Sequence, residues 1–316
     1  MCLFKYLRIS LLILAAIGLI VFRFHLQTGA TTPDPGAALR AIHTLTGNIK
    51  IHQDFHSRFL PTDRTITVYL PPGYEDDRNR RYPVLYMQDG QNLFDGATSF
   101  MAGNEWQMDE KAETLISKNQ IEPLIIVGVS SSGLARITDF TPPMIGGPKP
   151  GGHADLYGRM LVEEIKPFID AQYRTKAGAA DTGLGGMSLG GLVTIYLGFK
   201  YPAVFGKLAI TSPAAFWNNE MIVGYVRSLP SKTNQRIYLS VGTAEQVEFL
   251  DSARDLHQVL VDKGWRPGMN FDYFEAPGVN HAPGKHGARV EHMLRFLSPP
   301  QLGSIRRPSR GANSSR

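Results

Sequence analysis

Hydrophobic and polar residues alternate in two short segments near the start of the chain, residues 48–55 and 64–70. Alternation with a period of two is the pattern of a strand that buries one of its faces. A turn-forming segment, PPGY at 71–74, follows the second segment directly. The pattern therefore predicts two strands that pair antiparallel.

Farther along the chain, four short runs are apolar without alternation. Such runs are typical of strands that are buried on both faces of a parallel sheet. A more polar segment, 271–277, predicts a further strand nearer an edge, and the glycine-rich segment 179–186 predicts a fifth parallel strand. The four apolar runs are residues 82–87, 123–129, 206–211 and 236–242.

Apolar residues recur at helical spacing between these strands. The predicted helices span residues 154–173, 189–202, 248–260 and 288–297. Strands that alternate with helices require right-handed crossovers and build a doubly wound parallel sheet. We therefore predict an α/β fold, with a mostly parallel doubly wound sheet and an antiparallel N-terminal strand pair.

The composition is that of a globular protein with enough chain to bury a core: 316 residues, of which 43% are hydrophobic and 19% are charged. The formal net charge is only +5, and no basic run in the folded part is interleaved with aromatic residues, which argues against nucleic-acid binding. The single cysteine, Cys2, excludes an intrachain disulfide. It also argues against a cysteine nucleophile or a cysteine-based metal site.

The N-terminus carries Lys5 and Arg8, followed by an uncharged apolar run at residues 9–22. This pattern predicts either a cleaved signal peptide or an uncleaved signal-anchor in the membrane. Both alternatives place the folded part outside the cytoplasm, as a periplasmic, secreted or inner-membrane-anchored protein. The predicted organisation is signal peptide or anchor at 1–30, linker at 31–47, α/β domain at 48–298 and disordered basic tail at 299–316.

The segment GGMSLGG places Ser188 in a G-x-S-x-G pattern between a predicted strand and a predicted helix. That context is what a nucleophile elbow requires, because the sharp turn exposes the serine hydroxyl at the carboxyl edge of the sheet. The alternative is a glycine-rich helix entry that Ser188 merely caps.

A serine needs a base to take its proton, and in this fold the partners follow it in the order acid, then histidine. His281 and His286 both follow the last predicted strand. We favour His281, because it is nearer the strand end and follows a Pro-Gly turn.

Glu245 follows the strand at 236–242 and is the first candidate for the acid. The alternative for Glu245 is a glutamate that stabilises the start of a helix through the helix dipole. Asp251 is the second candidate for the acid.

The tetrahedral intermediate of acyl transfer needs backbone N–H donors. Leu189, which follows Ser188, supplies the first of these. The loop at 87–96 supplies the second, from the amide of Gln91 or of Gly90.

Three residues on loops at the carboxyl side of strands are candidates for substrate binding: Trp106, Arg136 and Trp217. The aromatic rings suit an acyl or aryl group, and Arg136 suits an anion. The alternative is loop packing, with Arg136 paired to a nearby aspartate such as Asp139. The segment 144–153 is a candidate for a flexible lid.

The ordered motifs TVYLPPGYE, YPVLYMQDGQNLFD, RITDFTP, EEIKPFIDAQYRT, GMSLGGL, VGTAE and PGVNHA resemble the Putative esterase family of α/β-hydrolases. That family includes enterochelin-type siderophore esterases, feruloyl and acetyl xylan esterases and mycobacterial mycolyltransferases. The resemblance runs from about residue 48 to residue 297. It implies Ser188 as nucleophile, Glu245 as acid and His281 as base, with His286 as the alternative base.

The residues and the resemblance together predict a serine carboxylic ester hydrolase that acts on a small-molecule ester through an acyl-enzyme and without a cofactor. An acyltransferase that uses the same acyl-enzyme is the first alternative. A non-catalytic binding protein with a hydrolase fold is the second.

Overall fold

A computed structural model describes residues 43–143, 152–281 and 287–300, except for the side chains of Gly287 and Ala288. The predicted signal segment, the linker up to residue 42, most of the candidate lid, His286 and the tail from residue 301 lie outside the described residues.

In the described part of the chain, eight strands form one sheet in the order β1-β2-β4-β3-β5-β6-β7-β8. The strands are β1 (Asn48–Phe55), β2 (Arg64–Leu70), β3 (Val84–Gln88), β4 (Ile125–Val129), β5 (Thr182–Ser188), β6 (Lys207–Pro213), β7 (Arg236–Gly242) and β8 (Phe271–Ala276).

The directions of the strands agree with the pattern of hydrophobic and polar residues in the sequence. β1 pairs antiparallel with β2, and β2 pairs antiparallel with β4. All pairs from β4 through β8 are parallel. The predicted mostly parallel sheet with an antiparallel N-terminal pair is confirmed, and β8 lies at the sheet edge as its polar pattern indicated.

Helices cover both faces of this sheet. They are α1 (Met108–Ser117), α2 (Arg136–Phe140), α3 (Ala154–Arg159), α4 (Lys166–Gln172), α5 (Leu189–Lys200), α6 (Trp217–Ser228), α7 (Val247–Asp262) and α8 (Gly287–Leu297). A π-helical segment, Met160–Ile165, joins α3 to α4, so the single helix predicted at 154–173 is present but interrupted.

Three helices were not predicted: α1, the short α2, whose segment was expected to be a loop, and α6. Three of the ten residues of α1 are acidic and one is basic. Its apolar face is therefore narrow, and the hydrophobic pattern of the sequence does not indicate a helix here. α6 contains Asn218, Asn219 and Glu220 at positive φ, so its first turn is not regular.

Two apolar clusters lie on opposite faces of the sheet, because neighbouring residues of one strand belong to different clusters. Tyr86 of β3 belongs to the larger cluster with Leu192 of α5, whereas Leu85 belongs to the second with Leu115 of α1. The interior strands are thus buried on both faces, as their unbroken apolar sequences predicted.

Residues 43–47, predicted as the end of a linker, are instead bound to the domain by carboxylates. His43 Nδ1 lies 2.7 Å from Asp95 Oδ2, and the Thr44 hydroxyl donates to Glu105 Oε2 at 2.6 Å. The Thr46 amide donates to Asp109 Oδ2 at 2.6 Å. Residues 43–47 therefore belong to the folded domain.

Asp109 is fully buried at the start of α1. Burial first, and then the hydrogen bond and charge of Glu110, raise the pKa of Asp109 to about 8. The native state therefore holds a proton on Asp109 that the unfolded chain, with an ordinary value of 3.8, has already lost.

We expect Asp109→Asn to remove the pH-dependent destabilisation of the native state that the buried Asp109 carboxyl group causes. The contribution of Asp109 to the free energy of unfolding of the wild type falls as pH rises from about 4 to about 8, with a slope of up to about 1.4 kcal/mol per pH unit. The advantage of the variant should grow across the same interval in urea unfolding measured at several pH values. Asp76→Asn, at an exposed carboxylate, is the control. A difference between variant and wild type that stays constant with pH would contradict the assignment.

Candidate active site

Ser188 ends β5, and α5 begins at the next residue. Its backbone has φ 59° and ψ −120°, a conformation that residues with a side chain rarely adopt. Within the described residues, the Ser188 side chain makes no hydrogen bond that caps α5. The geometry is that of the predicted strand-to-helix elbow and does not support the capping alternative.

The turn around Ser188 is too tight for a side chain at Gly186. A Cβ on Gly186 would lie 2.7 Å from the carbonyl carbon of Gly190 and 2.8 Å from Cγ of Gln88. The close approach of α5 and of the end of β3 to this part of β5 therefore requires glycine here.

His281 and Glu245 lie side by side at the carboxyl edge of the sheet. The distance from His281 Nδ1 to Glu245 Oε2 is 2.7 Å. The Glu245 side chain is 0% exposed and that of His281 is 26% exposed, so the imidazole forms the accessible end of the pair. Asp251, the second candidate for the acid, is exposed on α7.

Glu245 remains ionised despite its burial. Burial alone would raise its pKa, but hydrogen bonds from His281, Ser212 and the Gly242 amide outweigh it and hold the pKa of Glu245 below its ordinary value. A carboxylate only accepts hydrogen bonds, so Nδ1 of His281 carries the proton of this hydrogen bond, and Nε2 is the ring nitrogen that does not contact Glu245.

An aromatic ring that the sequence did not single out holds the imidazole from one side. The Phe249 ring lies 4.1 Å from the His281 ring, centroid to centroid, and 4.8 Å from the Phe216 ring. The helical spacing of apolar residues placed Phe249 on the apolar face of a predicted helix. That pattern does not indicate a contact with a histidine.

The structure brings Ser188 and His281 to the same edge of the sheet, because β5, β7 and β8 run parallel. Among the described residues it shows no hydrogen bond between the Ser188 hydroxyl and the His281 ring. The strand order therefore places Ser188 and His281 at the same edge of the sheet, whereas His281 and Glu245 are in direct contact.

The two predicted amide donors occupy helix starts. Leu189 is the first residue of α5 and Gln91 lies in a short 3₁₀ helix, Gly90–Asn92. Amides in the first turn of a helix have no partner within that helix. A Cβ on Gly90 would lie 2.4 Å from the carbonyl carbon of Gly128, so this loop is pressed directly onto β4.

Side-chain hydrogen bonds fix the loop that contains Gln91. Gln91 Nε2 donates to the Ser131 hydroxyl at 2.9 Å, and the Ser131 amide donates to Gln91 Oε1 at 3.0 Å. Asp89, two residues before Gln91, has φ 57° and is also held by a partner across the edge.

That partner is Arg136, which donates to both oxygens of Asp89 at 2.6 and 2.7 Å. The suggested pairing of Arg136 with Asp139 is wrong, because Asp139 accepts from the buried Arg64 at 2.7 Å. The charge of Arg136 is compensated by Asp89, which weakens the hypothesis that Arg136 binds an anionic substrate.

The two tryptophans differ in their surroundings. Trp106 is only 6% exposed and belongs to the second apolar cluster, so the structure favours the packing alternative for this residue. Trp217 is half-buried against the larger cluster at the start of α6, and its role in substrate binding stays a prediction.

The mostly parallel sheet with flanking helices and a strained serine at a strand-to-helix turn defines an α/β-hydrolase. A profile of the family described as Putative esterase matches residues 57–273 of the chain. The protein therefore belongs to this esterase family.

Known relatives agree with this membership. The uncharacterized protein YbbA of Bacillus subtilis is 25% identical over 69% of this chain and 86% of its own length. The siderophore enterobactin esterase of Emericella nidulans is 28% identical over 52% of this chain and 58% of its own. The crystal structure of the BES protein from Bacillus cereus has a TM-score of 0.64 and 24% identity, and the alignment covers 86% of this chain and 99% of that one.

No helix in the described residues is both long enough and apolar enough to cross a membrane. The segment 9–22, for which membrane anchoring was predicted, lies outside those residues.

We expect Gly186→Ala to destabilise the fold by about 1–3 kcal/mol, because the added methyl group forces the backbone apart at the Ser188 turn. Esterase activity should fall together with the thermal midpoint. Gly178→Ala is a matched control from the same chain segment, since a Cβ there has no neighbour within 4 Å. Equal melting temperatures and activities for the two variants would show that the turn tolerates a side chain.

Proposed function

We propose that this esterase is a serine carboxylic ester hydrolase that works through an acyl-enzyme on Ser188. The observation that carries the proposal is the strained Ser188 elbow at the sheet edge that also presents a buried, ionised carboxylate paired with an accessible imidazole. A serine hydroxyl becomes a nucleophile when such an imidazole takes its proton.

In the first half-reaction His281 Nε2 accepts the proton of Ser188 as Oγ bonds to the ester carbonyl carbon. The amides of Leu189 and Gln91 stabilise the negative charge that moves to the carbonyl oxygen. When the carbon–oxygen bond to the leaving group breaks, the imidazolium donates its proton to the departing alcohol. Glu245 stabilises the imidazolium between these two steps.

In the second half-reaction His281 takes a proton from water, which attacks the acyl carbon. Breaking the bond to Ser188 Oγ returns the proton to serine and releases the carboxylic acid. An alcohol in place of water would give acyl transfer, so an added alcohol distinguishes the hydrolase from an acyltransferase by the product formed.

The proposed substrate is a small-molecule ester with an apolar acyl or aryl group. On the histidine side, the half-buried Phe249 ring packs against His281 and against the half-buried ring of Phe216. Arg136 is paired with Asp89, which favours an uncharged group near the nucleophile.

We expect Ser188→Ala to reduce turnover of p-nitrophenyl acetate and butyrate by about 10³-fold or more, because the acyl-enzyme cannot form. Mass spectrometry after a rapid quench should find the acyl group on the wild type and not on the variant. Ser117→Ala, which removes a hydroxyl on the outer part of α1, is the control and should keep full activity. Equal background rates from wild type and Ser188→Ala would exclude the proposed activity.

The base can be assigned by a pair of variants. His281→Ala should abolish the pH-dependent esterase activity, since the hydrogen bond to Glu245 selects this imidazole. His286→Ala should leave most of it. The reverse result, with kcat/KM lost only in His286→Ala, would move the role to His286.

A further inference from the structure

A buried arginine lies behind the carboxylate of Glu245. Arg289 of α8 is 2% exposed, and its Nη1 donates to the Ser212 hydroxyl at 2.6 Å and approaches Glu245 Oε1 to 3.4 Å. Ser212 lies in β6, has φ 40° and in turn donates its hydroxyl proton to Glu245 Oε1. Neither residue touches the reacting atoms of the mechanism above.

The two oxygens of Glu245 have separate partners. Oε1 accepts from the Gly242 amide at 2.8 Å, from the Ser212 hydroxyl and from Arg289. Oε2 faces His281. With three donors on Oε1, the carboxyl group has one rotational orientation, and that orientation points Oε2 at the imidazole.

Burial makes this support necessary. A carboxylate with no exposed surface loses its hydration, and the loss is offset only by hydrogen bonds and by opposite charge. Ser212 and Arg289 come from β6 and α8, so their contacts also tie two separate elements to the acid. A weak ion pair on the surface would not have this effect, because solvent would screen it.

Resting on the proposed function, we infer that Arg289, acting directly and through Ser212, is a positioning residue that orients Glu245 toward His281 and keeps its carboxylate charged.

The sign of the pH effect follows from the charges. In the described residues, the charged or titratable groups that face Glu245 are His281 and Arg289, and the Tyr238 hydroxyl faces Arg289 from β7. Loss of the guanidinium makes the carboxylate easier to protonate, and also makes the imidazolium harder to deprotonate. Both changes move the acidic limb of kcat/KM to higher pH.

The test is the pH profile of kcat/KM for p-nitrophenyl acetate in Arg289→Met and Arg289→Lys, normalised to active sites. Arg289→Met should lose at least about 10-fold in kcat with little change in KM and should shift the acidic limb upward by roughly half a pH unit or more. Arg289→Lys keeps a cation and should restore the position of the limb. Arg295→Met, an exposed arginine on the same helix, is the matched control and should match the wild type.

A second measurement does not need turnover. The proton between His281 Nδ1 and Glu245 gives a far-downfield ¹H NMR resonance, which should be present in the wild type and in Ser188→Ala and be lost or displaced in Arg289→Met. If Ser188→Ala kept full activity while the resonance still depended on Arg289, the proposed function would fail and the positioning role would stand.

An unshifted acidic limb together with an unchanged resonance in a folded Arg289→Met protein would overturn the inference. Should Arg289→Met not fold, Ser212→Ala carries the same test. Ser212→Ala removes one donor from Oε1, so its acidic limb should move in the same direction by a smaller amount.

Discussion

The candidate site depends on the close approach of α5 to β5 and to the end of β3. At that contact Gly186, Gly190 and Gln88 leave no space for another side-chain carbon, and Ser188 is held with φ 59° and ψ −120°. Strain of this kind costs roughly 1–3 kcal/mol and persists only where the surrounding packing over-determines the backbone. The packing here is that of α5, which is almost entirely buried in the larger apolar cluster. The geometry of the serine is therefore a property of the core and not of a flexible loop.

The same edge of the sheet contains an unusual concentration of buried charge. Glu245, Asp139 and Asp89 are all buried, and each contacts an arginine from a different element. Burying a charged side chain destabilises the native state unless the charge is paired and hydrogen-bonded. Each of these ion pairs therefore also holds together the two segments that supply it. Charges and dipoles that are fixed in place before the reaction are the ones that stabilise a transition state effectively.

The family match and the geometry of the site cover different parts of this esterase. The family match covers residues 57–273, which include Ser188 and Glu245 and stop before His281. The histidine is instead tied to the site by its contact with Glu245 and by the Phe249 ring. Because structural neighbours at 24% identity show the fold alone, the roles of individual residues rest on this geometry.

Much of the fold was readable from the sequence, because strand alternation and apolar runs are local patterns. The segments predicted at 48–55, 64–70 and 236–242 coincide with β1, β2 and β7. The placement of Ser188, Glu245 and His281 followed in the same way, since Ser188 ends a strand of the parallel sheet and Glu245 and His281 lie in loops after later strands. Tertiary structure alone decided which charges pair: Arg136 with Asp89 across 47 residues, and Arg289 with Glu245 across 44. Such contacts join loops and helices that only the folded sheet brings together, and no periodicity in the chain encodes them.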